Sequence, residues 1–182
     1  MPTDTNRRLL SVEPLPTYEP TLGRWLWLLE ETRRETKETL GGLAPSILDW
    51  IPAPGDNSIG TLLYHIALIE LDWLFTEVLE HQPWPQELKD EFVVAVRDDQ
   101  GRLSRVQQTT VEEHIQRLDL VRKHLLASFR GMTLQELRRP HAFPEYQVTA
   151  EWVLHHLIQH EVEHRGHIQM LRSLAERALE GS

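Results

Sequence analysis

Five of the ten histidines fall between residues 155 and 167: His155, His156, His160, His164 and His167. Imidazole is the side chain that exchanges a proton, or takes up a divalent metal, near neutral pH. On a helix the i, i+4 spacing of His160 and His164 sets the two rings on adjacent turns, near enough to chelate one ion. With His160 at 0° and about 100° per residue, His164 falls near about +40°, His167 near about −20° and His156 near about −40°. Val153 and Leu171 fall near about +20° and Leu157 near about +60°, so these histidines share the stripe expected to face the core. Only His155 points well away. One more histidine, His65, lies at the edge of the stripe formed by Leu62, Ile69 and Trp73.

Burying several imidazoles needs a reason, because an unpaired polar group in a core costs roughly 1–3 kcal/mol. A divalent metal takes the lone pair of each neutral ring and supplies the compensating charge. The expected site is therefore a three-His metal centre of His65, His160 and His164. Three protein ligands leave a coordination position open, which suits chemistry better than a purely structural role. Three imidazoles suit zinc, nickel and iron alike. Glu70, Asp72, Glu161 and Glu163 are all candidates to orient the imidazoles from behind. His156 and His167 are read as packed side chains. His81, His114, His124 and His141 sit in charged or loop contexts and carry no signal. Trp25, Trp27, Trp73 and Trp152 are read as core, and Arg33-Arg34, flanked by Glu30-Glu31 and Glu35, as a solvated helix face.

His160-Glu161-Val162-Glu163-His164 also spells HExxH, the zinc-protease signature. Strand signal to bind a peptide beside that helix is nearly absent. Gly166 comes one residue too early for the extended form of the motif. A carboxylate-bridged di-iron site needs two Glu-x-x-His pairs, and Glu161 with His164 is the single pair in view.

The elements that must position these rings read as helices. Apolar positions recur at helical spacing from about Tyr18 to Leu40, ended by Gly41-Gly42. Residues 43–57, with Pro45, Pro52, Pro54 and Gly55, read as loop or turn. Asn57 or Ser58 caps a second helix to about Glu80. Thr110 with Glu113 has capping-box spacing for a third, to about Arg130. Thr133 with Glu136 repeats it for a short helix ending before Pro140, and Thr149 caps the last, to about Glu180. Residues 86–108, including Phe92-Val93-Val94-Ala95-Val96, fit either a strand or a short helix. Four long helical segments imply an all-α four-helix bundle. The long connection between the second and third can cross the bundle and leave those two parallel, since antiparallel neighbours need only 2–8 residues. Residues 1–16, with Pro2, Pro14 and Pro16, read as an arm.

The 182 residues carry 28 acidic and 19 basic side chains, a formal charge of −9, and no cysteine. Thiolate zinc sites, disulfides and cysteine nucleophiles are thereby excluded. The acidic balance and scattered arginines speak against nucleic acid as a partner. No apolar run is seen to approach the 18 residues of a membrane span, and the first residues lack the apolar core of a signal peptide. A cytoplasmic location is the expectation.

Three stretches resemble the DinB/YfiT-like superfamily of bacterial proteins: Trp50-Ile51-Pro52 with Ser58 to Ile66 around His65, then Glu70-Leu71-Asp72-Trp73, and most specifically His156 to Ile168. The resemblance covers about residues 18–180, with His167 standing where members often have Gln. It implies a single DinB-like domain over residues 17–182, a bundle in up-down-down-up order, and a three-His site carried onto His65, His160 and His164. It further implies zinc or nickel as the metal. Some members transfer or isomerise substrates with a low-molecular-weight thiol. The expected function is thus a metal-dependent thiol S-transferase acting on a small molecule. Its rivals are a hydrolase using activated water and a non-enzymatic metal- or ligand-binding stress protein. A homodimer is expected from the long connection and proline-rich arm.

Overall fold

The computed structural model describes residues 9–180, and all the long elements are helices. They are α1 (Pro20–Thr39), α2 (Pro45–Leu48), α3 (Ile59–Trp73), α4 (Gln86–Glu91), α5 (Val111–Ser128), α6 (Leu134–Leu137) and α7 (Ala150–Glu180). A two-stranded antiparallel hairpin, β1 (His141–Ala142) with β2 (Gln147–Val148), precedes α7.

Local chemistry sets the helix starts. Glu19 accepts from the N–H groups of Thr21 and Leu22 ahead of α1, whose first residue is a proline that has no N–H to satisfy. Ser58 Oγ accepts from Thr61 N at the head of α3. The Thr110–Glu113 and Thr133–Glu136 boxes form both of their reciprocal bonds. Thr149 Oγ1 accepts from Trp152 N where α7 begins.

The stretch expected to be loop after α1 contains the single-turn α2, opened by Pro45 at a position that tolerates proline. Residues 86–108 hold α4 and then irregular chain with one bridge between Arg97 and Leu103. Phe92 and Val106 are buried there, and Tyr64 bonds to both the N–H and the carbonyl of Val94. The second long helix does not stay α-helical to Glu80. It passes after Trp73 into a π-helical turn, Leu74–Val78. Before α1, Leu15 N donates to Gly23 O, and a Cβ on Gly23 would lie 2.9 Å from Pro14 Cβ, so the chain approaches α1 closely where only glycine leaves room. Residues 1–8 of the expected arm lie outside the described residues.

The long helices interlock. Trp25 meets Glu151, Arg33 meets Glu161 and Thr39 meets Arg172, so α1 and α7 touch in ascending order along both. Gly60 faces His114 and Glu70 faces Arg122, again ascending in α3 and α5. The order is opposed between α3 and α7, where His65 meets His164 and Trp73 meets Trp152, and between α1 and α5, where Leu29 meets Arg122 and Arg33 meets Leu118. Leu22, Leu26 and Leu29, Ile59, Leu63 and Ile66, Leu118 and Leu125, and Leu154 and Leu157 fill the space between. Each such side chain contributes roughly 1.5–3 kcal/mol by leaving water.

Contrary to the sequence expectation, Ile59–Val78 is long and apolar enough to cross a membrane by length and composition, with a mean hydropathy of 1.3. Its environment explains the composition: 78% of that window is buried inside the protein, as in a central core helix.

The core also holds charge, one residue from each long helix. Arg33 donates from Nε to Glu161 (2.8 Å) and from Nη2 to Glu70 (2.6 Å). Arg122 donates from Nε to Glu70 (2.7 Å) and from Nη2 to Glu161 (3.4 Å). The remaining guanidinium nitrogens reach the carbonyls of Leu118 and Leu29. All four side chains are at most 4% exposed. The reading of Arg33 as solvated is therefore corrected, while Arg34 does lie at the surface with Glu31 and Glu38. Arg33 follows Leu26 and Leu29 by seven and four positions, on the apolar stripe of α1.

Candidate metal centre

His65 stands on α3, two turns beyond the Ser58 cap, and His160 and His164 stand one turn apart on α7. The structure brings all three together. One ligand nitrogen from each lies within 4.8 Å of the other two. His65 Nε2 and His160 Nε2 are 3.1 Å apart. Ring centroids are 4.9 Å apart for His65 with His160 and with His164, and 4.5 Å for His160 with His164, all edge-on.

Two nitrogens each about 2.0–2.1 Å from a tetrahedral ion sit roughly 3.3 Å apart. The 3.1 Å separation is close to that figure, and a His164 nitrogen lies within 4.8 Å of both. The protonation state suits a metal as well. Burial first, then His164 and Arg97, pushes His65 down to about 4. Burial, then His164, His65 and His156, pushes His160 down to about 3, and burial with His167 lowers His164. The rings are neutral at pH 7, the form that donates a lone pair to a metal. His65 Nδ1 is buried without a hydrogen-bond partner, so this ring has unmet polar demand. The residues fit a divalent ion, and the cluster could hold one.

The histidines of α7 do not lie at the centre of its buried stripe. Its buried residues, Ala150, Val153, Leu154, Leu157, Glu161, Ile168, Leu171 and Ala175, centre the stripe about 65° from His160. His156, His160 and His164 are left at the rim, half-buried, and His167 is exposed. His167 Nδ1 lies 3.5 Å from His164 Nδ1, and His167 is not part of the three-residue cluster. His156 packs against Trp73 and Trp152.

The four carboxylates considered for orienting the rings do other things. Glu70 and Glu161 belong to the buried charge quartet. Burial alone would raise Glu70, but the Arg122 and Arg33 guanidiniums outweigh it and hold its carboxyl below the usual range. Asp72 accepts from Thr76, and Glu163 is exposed. In a zinc protease the HExxH glutamate activates water. Here both oxygens of Glu161 are taken by Arg33 and Arg122, so the carboxylate is committed to the buried ion pairs and the motif is matched in letters alone.

Three other expectations are corrected. His114 is 1% exposed and packs on Gly60, and burial, then Arg117, pushes it down to about 4. His141 is buried too. Trp152 is 47% exposed and is not a core residue, whereas Trp25 and Trp73 are half-buried and pack against the core from its edge, and Trp27 is half-buried.

A mostly helical protein with three imidazoles converging from two of its helices defines a class: an all-α scaffold carrying a potential three-His metal centre. The family model described as the DinB superfamily matches residues 28–168, and the chain belongs to that superfamily. An uncharacterized protein of Bacillus subtilis (strain 168), YkkA, is 26% identical over 117 residues. That match spans 64% of this chain and 65% of YkkA, just under two thirds of its length. The crystal structure of a conserved protein from Enterococcus faecalis superposes with a TM-score of 0.63 at 16% identity, covering 82% of this chain and 94% of that one, a likeness of fold alone.

Proposed function

We propose that His65, His160 and His164 bind one divalent metal, zinc or nickel in first place, and that the protein is a metal-dependent enzyme joining a low-molecular-weight thiol to a small electrophile. The observation that carries this reading is the convergence of three neutral imidazoles with no fourth protein ligand in the cluster among the described residues. A bound divalent ion would supply charge that holds a coordinated thiol in its deprotonated form. The protein's part is to hold the three lone pairs in place from two rigid helices, and to keep the rings unprotonated by burying them. The charge quartet behind them ties α1, α3, α5 and α7 together, so the two faces that carry the rings cannot drift apart.

The scaffold is read as a four-helix bundle in up-down-down-up order. Support comes from contacts that ascend together between α1 and α7 and between α3 and α5, and run opposed in the other two pairs. A homodimer is proposed with it, to be checked by light scattering after size exclusion.

The test is elemental analysis of the purified protein beside His160→Ala, followed by assays of metal-loaded protein with several bacterial thiols and an aromatic electrophile. One equivalent of metal lost in the variant, and thiol-dependent turnover absent from His65→Ala, is the expected result. Turnover of an ester without thiol would move the reading to a hydrolase. Metal bound with no turnover would move it to a binding protein.

A further inference from the structure

The row of rings on α7 does not end at the three histidines. Trp152, His156, His160 and His164 follow one another four residues apart along one face. Trp152 stacks on His156 with centroids 5.2 Å apart and planes 8° from parallel, and His156 lies 6.0 Å from His160. Trp73 closes the corner, 5.4 Å from Trp152 and 4.5 Å from His156. Beyond Trp152 opens an apolar cleft of about 500 Å³, lined by Trp73, Trp152, Tyr146 and the hairpin residues Gln147, Val148 and Thr149. That volume lies within the roughly 300–1,000 Å³ range of small-molecule sites.

The cleft is built, not incidental. Two large aromatics stand open at it, Trp152 at 47% and Tyr146 at 45% exposure. Tyr146 is held from behind: its hydroxyl donates to Glu77 Oε1 at 2.8 Å, and its ring stacks on Phe143. Glu77 comes from the π-helical turn that follows Trp73, and such turns occur often at functional sites. Glu80 and His81, just past its Leu79 cap, both take positive φ, a conformation that side-chain-bearing residues adopt at a cost. The charge around Tyr146 is negative, from Glu77, Asp72 and Glu145. The nearby Arg138 and Arg139 are paired with Glu151 and Glu80.

We infer that this cleft is the subsite for a planar apolar ring that bears no negative charge, carried by the substrate whose reacting end reaches His65 and His160. The assignment rests on the enzyme reading above, but ring binding by the cleft is measurable without it. A flat ring lies against the open face of Trp152 and the edge of Tyr146, in the offset geometry that aromatic pairs favour. Trp152 and His156 stand between it and His160, at 5.2 Å and 6.0 Å along the row, so the two form a packed spacer between the ring subsite and the metal ligands, and the substrate must be long enough to pass them. An aromatic carboxylate is disfavoured by the three acidic side chains.

The experiment is a titration of the ¹⁵N-labelled protein with 2-naphthol and, separately, 2-naphthoate, zinc-loaded and metal-free, reading the indole N–H resonances. Saturable shifts at Trp73 and Trp152 are expected with naphthol in both forms. Naphthoate should bind about five-fold more weakly, the factor that one like-charge contact of about 1 kcal/mol in water gives. Trp152→Ala should weaken naphthol about ten-fold, near the upper end of the gain from aromatic pairing. Trp152→Leu, which keeps apolar bulk at an exposed position, separates loss of stacking from loss of fold and should weaken binding as well. Shifts that do not saturate, equal affinity for naphthoate, or indifference to both Trp152 variants overturn the assignment. So does light scattering that shows a second copy covering Trp152 and naphthol dissociating it. If His160→Ala loses its metal and its turnover yet binds naphthol normally, the ring subsite stands. If wild type binds no metal and still takes naphthol through Trp152, the metal reading alone has failed.

Discussion

Replacing Glu161 by Gln separates two meanings of the same five letters. The carboxylate accepts from Arg33 Nε at 2.8 Å and Nη2 at 3.2 Å, and from Arg122 Nη2 at 3.4 Å. Two guanidiniums and two carboxylates cancel in a space where each side chain is at most 4% exposed. Glutamine keeps the shape but removes the charge and turns an N–H₂ group toward a donor. Arg33 and Arg122 then share the single buried carboxylate of Glu70, with only the surface Glu30 reaching Arg122 besides, so one buried positive charge loses its partner. Removing one partner from a buried pair costs about 3–5 kcal/mol. Total stability is of the order of 5–15 kcal/mol, so the loss is a large share of it. For a domain of this size about 2–4 °C follows each kcal/mol, which places the fall in melting temperature at roughly 6–20 °C.

Urea unfolding followed by far-UV circular dichroism, with the melting temperature from calorimetry, reads the effect directly. The double variant Arg33→Met, Glu161→Met provides the control. It removes one charge of each sign, leaves Arg122 facing Glu70, and should recover most of the loss, because apolar replacement of a whole buried pair is often neutral. Were Glu161 a catalytic base, Glu161→Gln would leave stability alone. A single variant within about 0.5 kcal/mol of wild type, the scatter of surface substitutions, would refute the structural role of the quartet, as would a double variant no better than the single one.

Added zinc should raise the melting temperature of the wild-type protein but not of His160→Ala or His65→Ala. A ligand at one hundred times its dissociation constant contributes about 2.7 kcal/mol, readable by scanning calorimetry. Acid should destabilise the metal-free protein in two windows. His114, held at about 4 against an unfolded value near ~6.5, binds fewer protons when folded, so stability falls as pH drops through that interval. Glu70, held below its unfolded value of about 4.3, stabilises above that pH and loses its contribution as pH falls further through the folded value. Urea midpoints that rise between pH 7 and pH 5 would contradict this sign. Ser58→Ala removes the cap of α3 and should cost about 1 kcal/mol in urea, with metal content unchanged, since His65 lies two turns into the helix.

The helices and their starts were legible because the signals are local: a hydroxyl or carboxylate meeting free N–H groups, and apolar residues at helical spacing. The cluster was legible for the same reason, since an i, i+4 pair and an edge histidine fix which rings can meet once two helices pack. The pairing of Arg33 and Arg122 with Glu70 and Glu161 was missed, the two glutamates being read as candidates to orient the rings, although each of the four sits on an apolar stripe, four residues after Leu29, Ile66, Leu118 and Leu157. Read one helix at a time, a charge on such a stripe looks like its solvated border. The pairing appears only when two positive and two negative exceptions are set against one another across four helices. The hairpin and the π-helical turn left no pattern, because neither two-residue strands nor one extra residue per turn makes a period long enough to read.

The same α7 segment therefore performs two tasks by rotation alone. Successive residues on a helix point about 100° apart, so Glu161 leans away from His160, and which neighbours fill that side decides what it does. In this protein the side that Glu161 faces is filled by α1 and α5, whose arginines claim both of its oxygens. What remains on the ring face is a continuous run from an exposed tryptophan through His156 to His160 and His164, with His65 arriving from α3. Any proton transfer the site needs must then come from the reacting molecule, from water or from a residue on the rim such as His167, and not from the glutamate that the motif would nominate.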